Sequence, residues 1–335
     1  MIGLSIVDRI IEHREDVIYF EPSRCLRSRF RKSSCTICMD NCINSAIAID
    51  TGRVSRDESK CSQCMLCVSG CPSGAFIYDR NWYRQLLGRL KHSQPDLIAC
   101  DKSMPVDNPL KIPCIGLLSE SILIALAVMS DSTVFIDISL CHGCENSHVL
   151  ASFRKRVSNV ADMLSLDMDE KLYLVNSRKL AESKHRAVGR RGFLGDLKGL
   201  ISRSIKRETV SQNHKEPMLF SQKQQTIDSE VLAYALSGAD KKLQLKILHN
   251  YYYTVNRNEK CRSCAGCSAM CPTGALKLKK KDGAKQHSFE ILKCNGCRLC
   301  QAFCKRQALV ISPYTGDISD IINQLEYQSR ESREW

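Results

Sequence analysis

The chain has 335 residues, enough for about two or three domains, and its 25% charged and 43% apolar content excludes a disordered polymer. A formal charge of +13 invites a polyanionic partner, and 20 cysteines invite disulfides. The start, Met1 to Ile11, lacks the basic stretch, apolar core and small-residue cleavage site of a secretory leader, so a reducing, cytoplasmic compartment is expected instead.

Residues 1–92 read as a first unit. A strand-like piece, Val17 to Phe20, precedes Cys25, Cys35, Cys38 and Cys42; a weaker one, Arg53-Val54-Ser55, precedes Cys61, Cys64, Cys67 and Cys71. The second run is spaced C-x2-C-x2-C-x3-C and continues Pro72-Ser73-Gly74-Ala75. The first run is irregular, because Cys25 is the only candidate for its first position and residues 26–34 intervene. That insert holds Arg27, Arg29, Arg31 and Lys32, which suits a basic docking loop or a merely solvated one. The fourth cysteine of each run begins a Cys-x3-Ala pattern followed by alternating apolar residues, Ala46 to Asp50 and Ala75 to Asp79.

Residues 93–183 change period to strand and helix in alternation. Strands are expected at Leu97 to Ala99, Lys111 to Ile115, Thr133 to Ser139 and Lys171 to Val175, with helices at Ser119 to Met129 and about Ser147 to Leu164. That is an open α/β layer. Its apolar run Ile115 to Met129 contains Ser119, Glu120 and Ser121 and is too short to cross a bilayer, so it reads as a buried helix. Cys100, Cys114, Cys141 and Cys144 fall at or after strand ends, where such sheets gather ligand-binding loops. No Gly-x-Gly-x-x-Gly follows a strand, which leaves a dinucleotide site unsupported.

Residues 184–249 form a basic connector. Within it Phe193, Leu194, Leu197, Leu200, Ile201 and Ile205 recur at helical spacing opposite Lys198, Arg203, Lys206 and Arg207, a face suited to packing on the protein itself, to a partner or to peripheral membrane contact. Arg190-Arg191 resembles a twin-arginine signal but is internal and lacks the apolar segment such a signal needs. A single helix is expected from Ser229 to His249.

Residues 250–335 repeat the cysteine pattern twice without irregularity: Cys261, Cys264, Cys267, Cys271, then Cys294, Cys297, Cys300, Cys304. Strands are expected at Tyr251 to Val255, Ala275 to Lys279, Phe289 to Leu292 and Ala308 to Ser312, with a closing helix at Ile318 to Leu325. Two-residue gaps let three thiolates converge while the fourth serves the neighbouring site. Cys261, Cys264, Cys267 and Cys304 are thus expected to hold one [4Fe-4S] cluster, and Cys294, Cys297, Cys300 and Cys271 another. Zinc, which takes four ligands in one tetrahedron, gains nothing from so crowded a repeat. The stretch Cys261 to Cys304 resembles the bacterial two-cluster ferredoxins down to Cys271-Pro272-Thr273-Gly274-Ala275. By analogy, Cys25, Cys35, Cys38 and Cys71 would hold a third cluster, and Cys61, Cys64, Cys67 and Cys42 a fourth.

The fold class expected is α+β ferredoxin-like domains at both ends flanking a central α/β open sheet. Ile112-Pro113-Cys114-Ile115-Gly116 with Cys141-His142-Gly143-Cys144 resembles the small, delta-type iron-sulfur subunit that links hydrogenases to heterodisulfide reductase. That resemblance implies a [2Fe-2S] centre at the central cysteines, with zinc or a redox-active pair Cys141/Cys144 as alternatives. Four [4Fe-4S] clusters supply about −8, leaving a net charge of about +5, which disfavours nucleic acid and favours an acidic redox protein. No nucleophile elbow, phosphate loop or metalloprotease motif appears, so no catalytic residues are assigned. The expectation is an electron-transfer subunit of an anaerobic oxidoreductase complex, relaying electrons between a reductase and a catalytic subunit such as a hydrogenase or heterodisulfide-reductase-like enzyme. The competing reading is a cluster-dependent redox sensor or assembly factor.

Overall fold

The computed structural model describes residues 18–90, 97–103, 109–176, 219–281 and 284–321. The connector stretch from Phe193 to Arg207 and the Arg190-Arg191 pair lie outside these residues.

The central layer is a four-stranded parallel sheet in the order Leu110–Ile112, Leu97–Cys100, Val134–Asp137, Leu172–Val175. Parallel strands need covered faces, and the apolar helix Glu120–Met129 supplies cover. Its Ser119 hydroxyl accepts the Ile122 amide at 3.3 Å, satisfying one of the open donors of the first turn. Every residue from Ile122 to Ala127 is buried, so this helix has no polar face to show water. The helix Val149–Leu164 packs beside it and stops at Ser165, whose φ of 52° is left-handed.

Residues 227–251 contain two helices, Ile227–Gly238 and Lys241–Tyr251, where one was expected. The break has a local cause: Asp240 turns extended and its carboxylate accepts the Leu243 amide at 2.9 Å, opening a new helix immediately after Gly238-Ala239. Both helices join the core of the central layer, and the first lies along Glu120–Met129.

Near each end of the described chain sits a small unit of short antiparallel strand pairs. In the first, Tyr19–Phe20 pairs with Phe76–Ile77, and Ile47–Asp50 with Arg53–Arg56. In the last, Tyr253–Arg257 pairs with Leu309–Pro313, and Leu276–Lys281 with Ala284–Phe289. The strand expected at Phe289 to Leu292 therefore lies earlier, and Ile291–Lys293 is a 3-10 turn. The closing helix is a 3-10 turn at Ile318–Ile321, its expected remainder lying outside the described residues.

The first unit shares one continuous core with the central layer, reaching from Ile18 through Trp82 and Leu86 of an unexpected helix, Arg80–Leu90, to Leu172. The last unit has a small core of its own, Val255, Ala275, Leu276, Leu309 and Ile311, while its Tyr252, Leu292 and Tyr314 join the larger one. So few apolar residues supply little folding energy alone, which leaves a large share to whatever its cysteines bind.

Candidate metal centres

The Cys-x3-Ala repeat has a backbone cause. The residue before each alanine is left-handed: Ser45 at φ 50°, Gly74 at 59°, Gly274 at 74° and Gln307 at 51°. This turn aims the next amide back at the fourth cysteine. Ala46, Ala75 and Ala308 donate their N–H to the sulfurs of Cys42, Cys71 and Cys304 at 3.3, 3.3 and 3.4 Å. At the remaining copy the Ala275 amide goes to Thr273 Oγ1, which itself lies 3.5 Å from Cys271 Sγ. All four alanines are buried, so a larger side chain has no room there. A pattern visible as spelling is thus a device for directing donors at thiolates, which stabilises their charged form.

In three of the four runs the fourth cysteine, Cys42, Cys71 or Cys271, joins the three of the other run. Cys25, Cys35, Cys38 and Cys71 line one cavity with Leu26, Ile37 and Phe76. Cys61, Cys64, Cys67 and Cys42 line a second. Cys294, Cys297, Cys300 and Cys271 line a third, walled by Val255, Leu276 and Ile311. Cys264 and Cys261 act on Cys267 by charge, and Cys304 follows on the helix Leu299–Phe303, whose Phe303 ring faces Gly266.

Burial raises Cys38, Cys67, Cys294, Cys297 and Cys300 among these thiols, and their neighbours' charges add to it. Cys38 is pushed to about 12 by burial with Cys71, Cys25 and Cys35 beside it. Cys300 reaches about 12 for the same reasons, with Cys271 and Cys294 as the charged neighbours. Crowded thiols that resist ionisation in apolar walls are poor as free groups and well suited to a cationic iron core that takes them as thiolates. Among the described residues no three Cys, His, Asp or Glu side chains converge closely enough to hold a single ion. Cavities walled by four thiols suit a cubane core, which takes one thiolate at each corner iron.

The central cysteines lie within charge reach of one another. Cys141 is pushed to about 12, chiefly by burial, with Cys100, Cys114 and Cys144 adding charge. Cys114 rises to about 11 by burial, with Cys64, Cys100 and Cys144 contributing. The turn after Cys114 is tied down: Arg156 Nη1 donates to the carbonyls of Gly116 at 3.2 Å and Leu118 at 2.9 Å. His142 is exposed on the 3-10 turn between Cys141 and Cys144, and His148, partly buried with its basicity lowered by burial, precedes the next helix without a side-chain capping bond.

Sequence reasoning missed how these sets adjoin. The central loops press on the regular N-terminal run: Asn146 Nδ2 donates to the Ser62 carbonyl at 3.0 Å, and a Cβ on Gly116 would stand 2.0 Å from the Cys64 carbonyl oxygen. The arginine insert does not form an open docking loop. Arg27 Nε donates to the Cys35 carbonyl at 2.8 Å, Arg29 reaches the C-terminal unit, and only Arg31 and Lys32 are exposed. Phe30 meets Phe303 edge to face at 5.4 Å. The N-terminal unit therefore touches both the central layer and the C-terminal unit, and the C-terminal unit also reaches the central core directly through Leu292 and Tyr314.

Residues 260–308 match the family described as 4Fe-4S dicluster domain, and residues 54–77 match the 4Fe-4S binding domain. The first match contains the whole C-terminal pair of runs; the second contains Cys61 to Cys71 and stops short of the irregular run and the central cysteines. Neither curated proteins nor solved structures give a match to the chain. No helix among the described residues is long and apolar enough to cross a membrane. The chain bears ferredoxin-type 4Fe-4S domains near both ends, and these support an iron-sulfur electron-transfer role.

Proposed function

We propose that this chain is a relay subunit with five cysteine-bound redox centres in a row, exchanging electrons between a reductase and the catalytic subunit of an oxidoreductase complex. Four would be [4Fe-4S] clusters held by the four sets above, and the fifth a [2Fe-2S] centre at Cys100, Cys114, Cys141 and Cys144. Such clusters, when bound, each take up and release one electron.

The observation that supports this most is the adjacency of the sets. Cys64 lies within charge reach of Cys114, Cys38 of Cys67, and Cys267 of Cys300. Arg29, whose amide bonds the Cys25 carbonyl at 3.0 Å, lies within charge reach of Cys271 and Cys297. The chain's own contribution is to fix these neighbours rigidly, keep apolar walls around them and aim amides at their sulfurs. The hydrogenase and heterodisulfide-reductase-like partners, and the cytoplasmic setting, rest on the resemblance of the central segment and on the composition.

The test is the full chain, expressed and reconstituted without oxygen. It should hold about 18 irons with matching sulfide. About 16 irons with one tightly bound zinc would make the central cysteines a structural site, and stoichiometric zinc throughout would overturn the relay. Purification of untagged chain from anaerobic cells should bring redox subunits with it.

A further inference from the structure

The insert that makes the first run irregular places a charge at the neighbouring unit. Arg29 donates Nε to the Ser23 carbonyl, Nη1 to the Ala269 carbonyl at 3.3 Å and Nη2 to the Phe220 carbonyl at 3.0 Å. Its guanidinium also stands 5.4 Å from the centroid of the Phe220 ring. Lys223 comes to the same place, donating Nζ to the Ala269 carbonyl at 2.6 Å and to that of Phe220 at 3.0 Å.

Two half-buried cations thus share the same two carbonyls. A like-charge pair drawn out of water is unfavourable, and carbonyl dipoles answer it only in part. Lys223 is lowered to about 8, by burial first and by Arg29 second, against the charge on Cys271, which works the other way. Arg29 is lowered by burial as well, and opposed by Cys271, Cys297 and Glu21. The negative group that acts on both cations is thus Cys271, two residues past the shared Ala269 carbonyl. A pair of cations kept together at this point is explained by an anion on the far side of Cys271.

We propose that Arg29 and Lys223 form a cation clamp that stabilises the reduced state of the site held by Cys271, Cys294, Cys297 and Cys300. The proposal rests on reading that set as a [4Fe-4S] site, whose net charge is about −2 when oxidised and about −3 when reduced. One electron arrives from an external donor; no bond forms or breaks and no proton is needed. Two fixed positive charges offset the added negative one, so the clamp makes this site a better acceptor than its partner in the same unit. The clamp also assigns the insert a purpose: an arginine of the N-terminal unit sets a property of a C-terminal site.

The experiment is an EPR-monitored redox titration of the full chain, loaded without oxygen and reduced by dithionite. The relevant signal is identified by its loss, with a matching fall in iron, in Cys297→Ala. Arg29→Gln should move that midpoint to a more negative potential with iron and sulfide unchanged. Lys223→Gln should move it the same way, and Arg29→Lys should recover part of the shift. The site at Cys61, Cys64 and Cys67 should keep its midpoint. An unchanged midpoint with iron retained, or an equal shift at every site, would overturn the clamp. If Arg29→Gln loses iron, Lys223→Gln decides, because it leaves the insert untouched. Iron that does not fall in Cys297→Ala would overturn the cluster reading itself, and the clamp with it.

Discussion

The two cysteine runs of the N-terminal unit differ in build and lean on different neighbours. In the regular run, Gln63 and Met65 flank the second ligand with left-handed backbone, φ 54° and 64°, and wind three thiols around one cavity. Ser263 and Gly296 hold the position equivalent to Gln63 in the C-terminal runs, at φ 49° and 64°. The irregular run has no left-handed residue between Cys25 and Cys38. An ordered segment with a short helix, Leu26–Arg29, presents the first ligand instead. The regular run abuts the central loops through Ser62 and Cys64; the irregular one abuts the C-terminal unit through Arg29 and Phe30. A tight ligand loop has no side chain left over for a neighbour, so the longer one is where the unit acquires its second interface.

The largest expected effect comes from the exchange of fourth ligands. Cys71→Ser should damage the site of the irregular run, not the run in which Cys71 lies, and cost up to about four irons per chain. Loss of the Cys61 site instead would break the comparison. Cys25→Ser should act on the same site as Cys71→Ser; because the segment before Cys35 is ordered by Arg27 and a buried Leu26, little of the entropy cost expected of a loose loop remains.

A second effect concerns the seam between the regular run and the central layer. Gly116→Ala would drive a methyl to within 2.0 Å of the Cys64 carbonyl oxygen, and should destabilise the chain by about 3 kcal/mol or more, read by chemical denaturation. Its visible spectrum should change at the Cys61 site before the C-terminal pair. Phe30→Ala probes the opposite seam and should cost about 0.5–1.5 kcal/mol beyond the area it uncovers. The smallest effect is local: Ser45→Gly relieves a left-handed serine in the irregular run and should stabilise by up to about 1 kcal/mol, while Gly74→Ser in the regular run should do the reverse.

Much of this was legible in the spelling of the chain. Cysteine spacing marks the ligand loops, because a turn of fixed length admits few residues between ligands, and the alternating strand and helix periods of 97–175 mark the sheet. Cys-x3-Ala was visible as a repeat, but its reason, an amide aimed at sulfur past a left-handed residue, appears only in the backbone. The helix break at Gly238-Ala239-Asp240 had a signal, since Asp240 is a good cap, yet the apolar period runs across it. The arginine insert was misread because a basic run looks the same whether it meets water or a carbonyl 240 residues away, as Arg29 does at Ala269. Contacts between units leave no periodic trace in the sequence, so the order of the sites could not be read from it.

That order is tested most directly by magnetic coupling in the fully reduced, anaerobically loaded full chain. The signal of the centre at Cys100, Cys114, Cys141 and Cys144 should be broadened by its neighbour at Cys61, Cys64, Cys67 and Cys42. Cys64→Ala should sharpen that signal and leave the coupling within the C-terminal pair intact, while Cys297→Ala should leave the central signal as it was. A central signal indifferent to Cys64→Ala but altered by Cys297→Ala would contradict a row with the N-terminal unit in its middle.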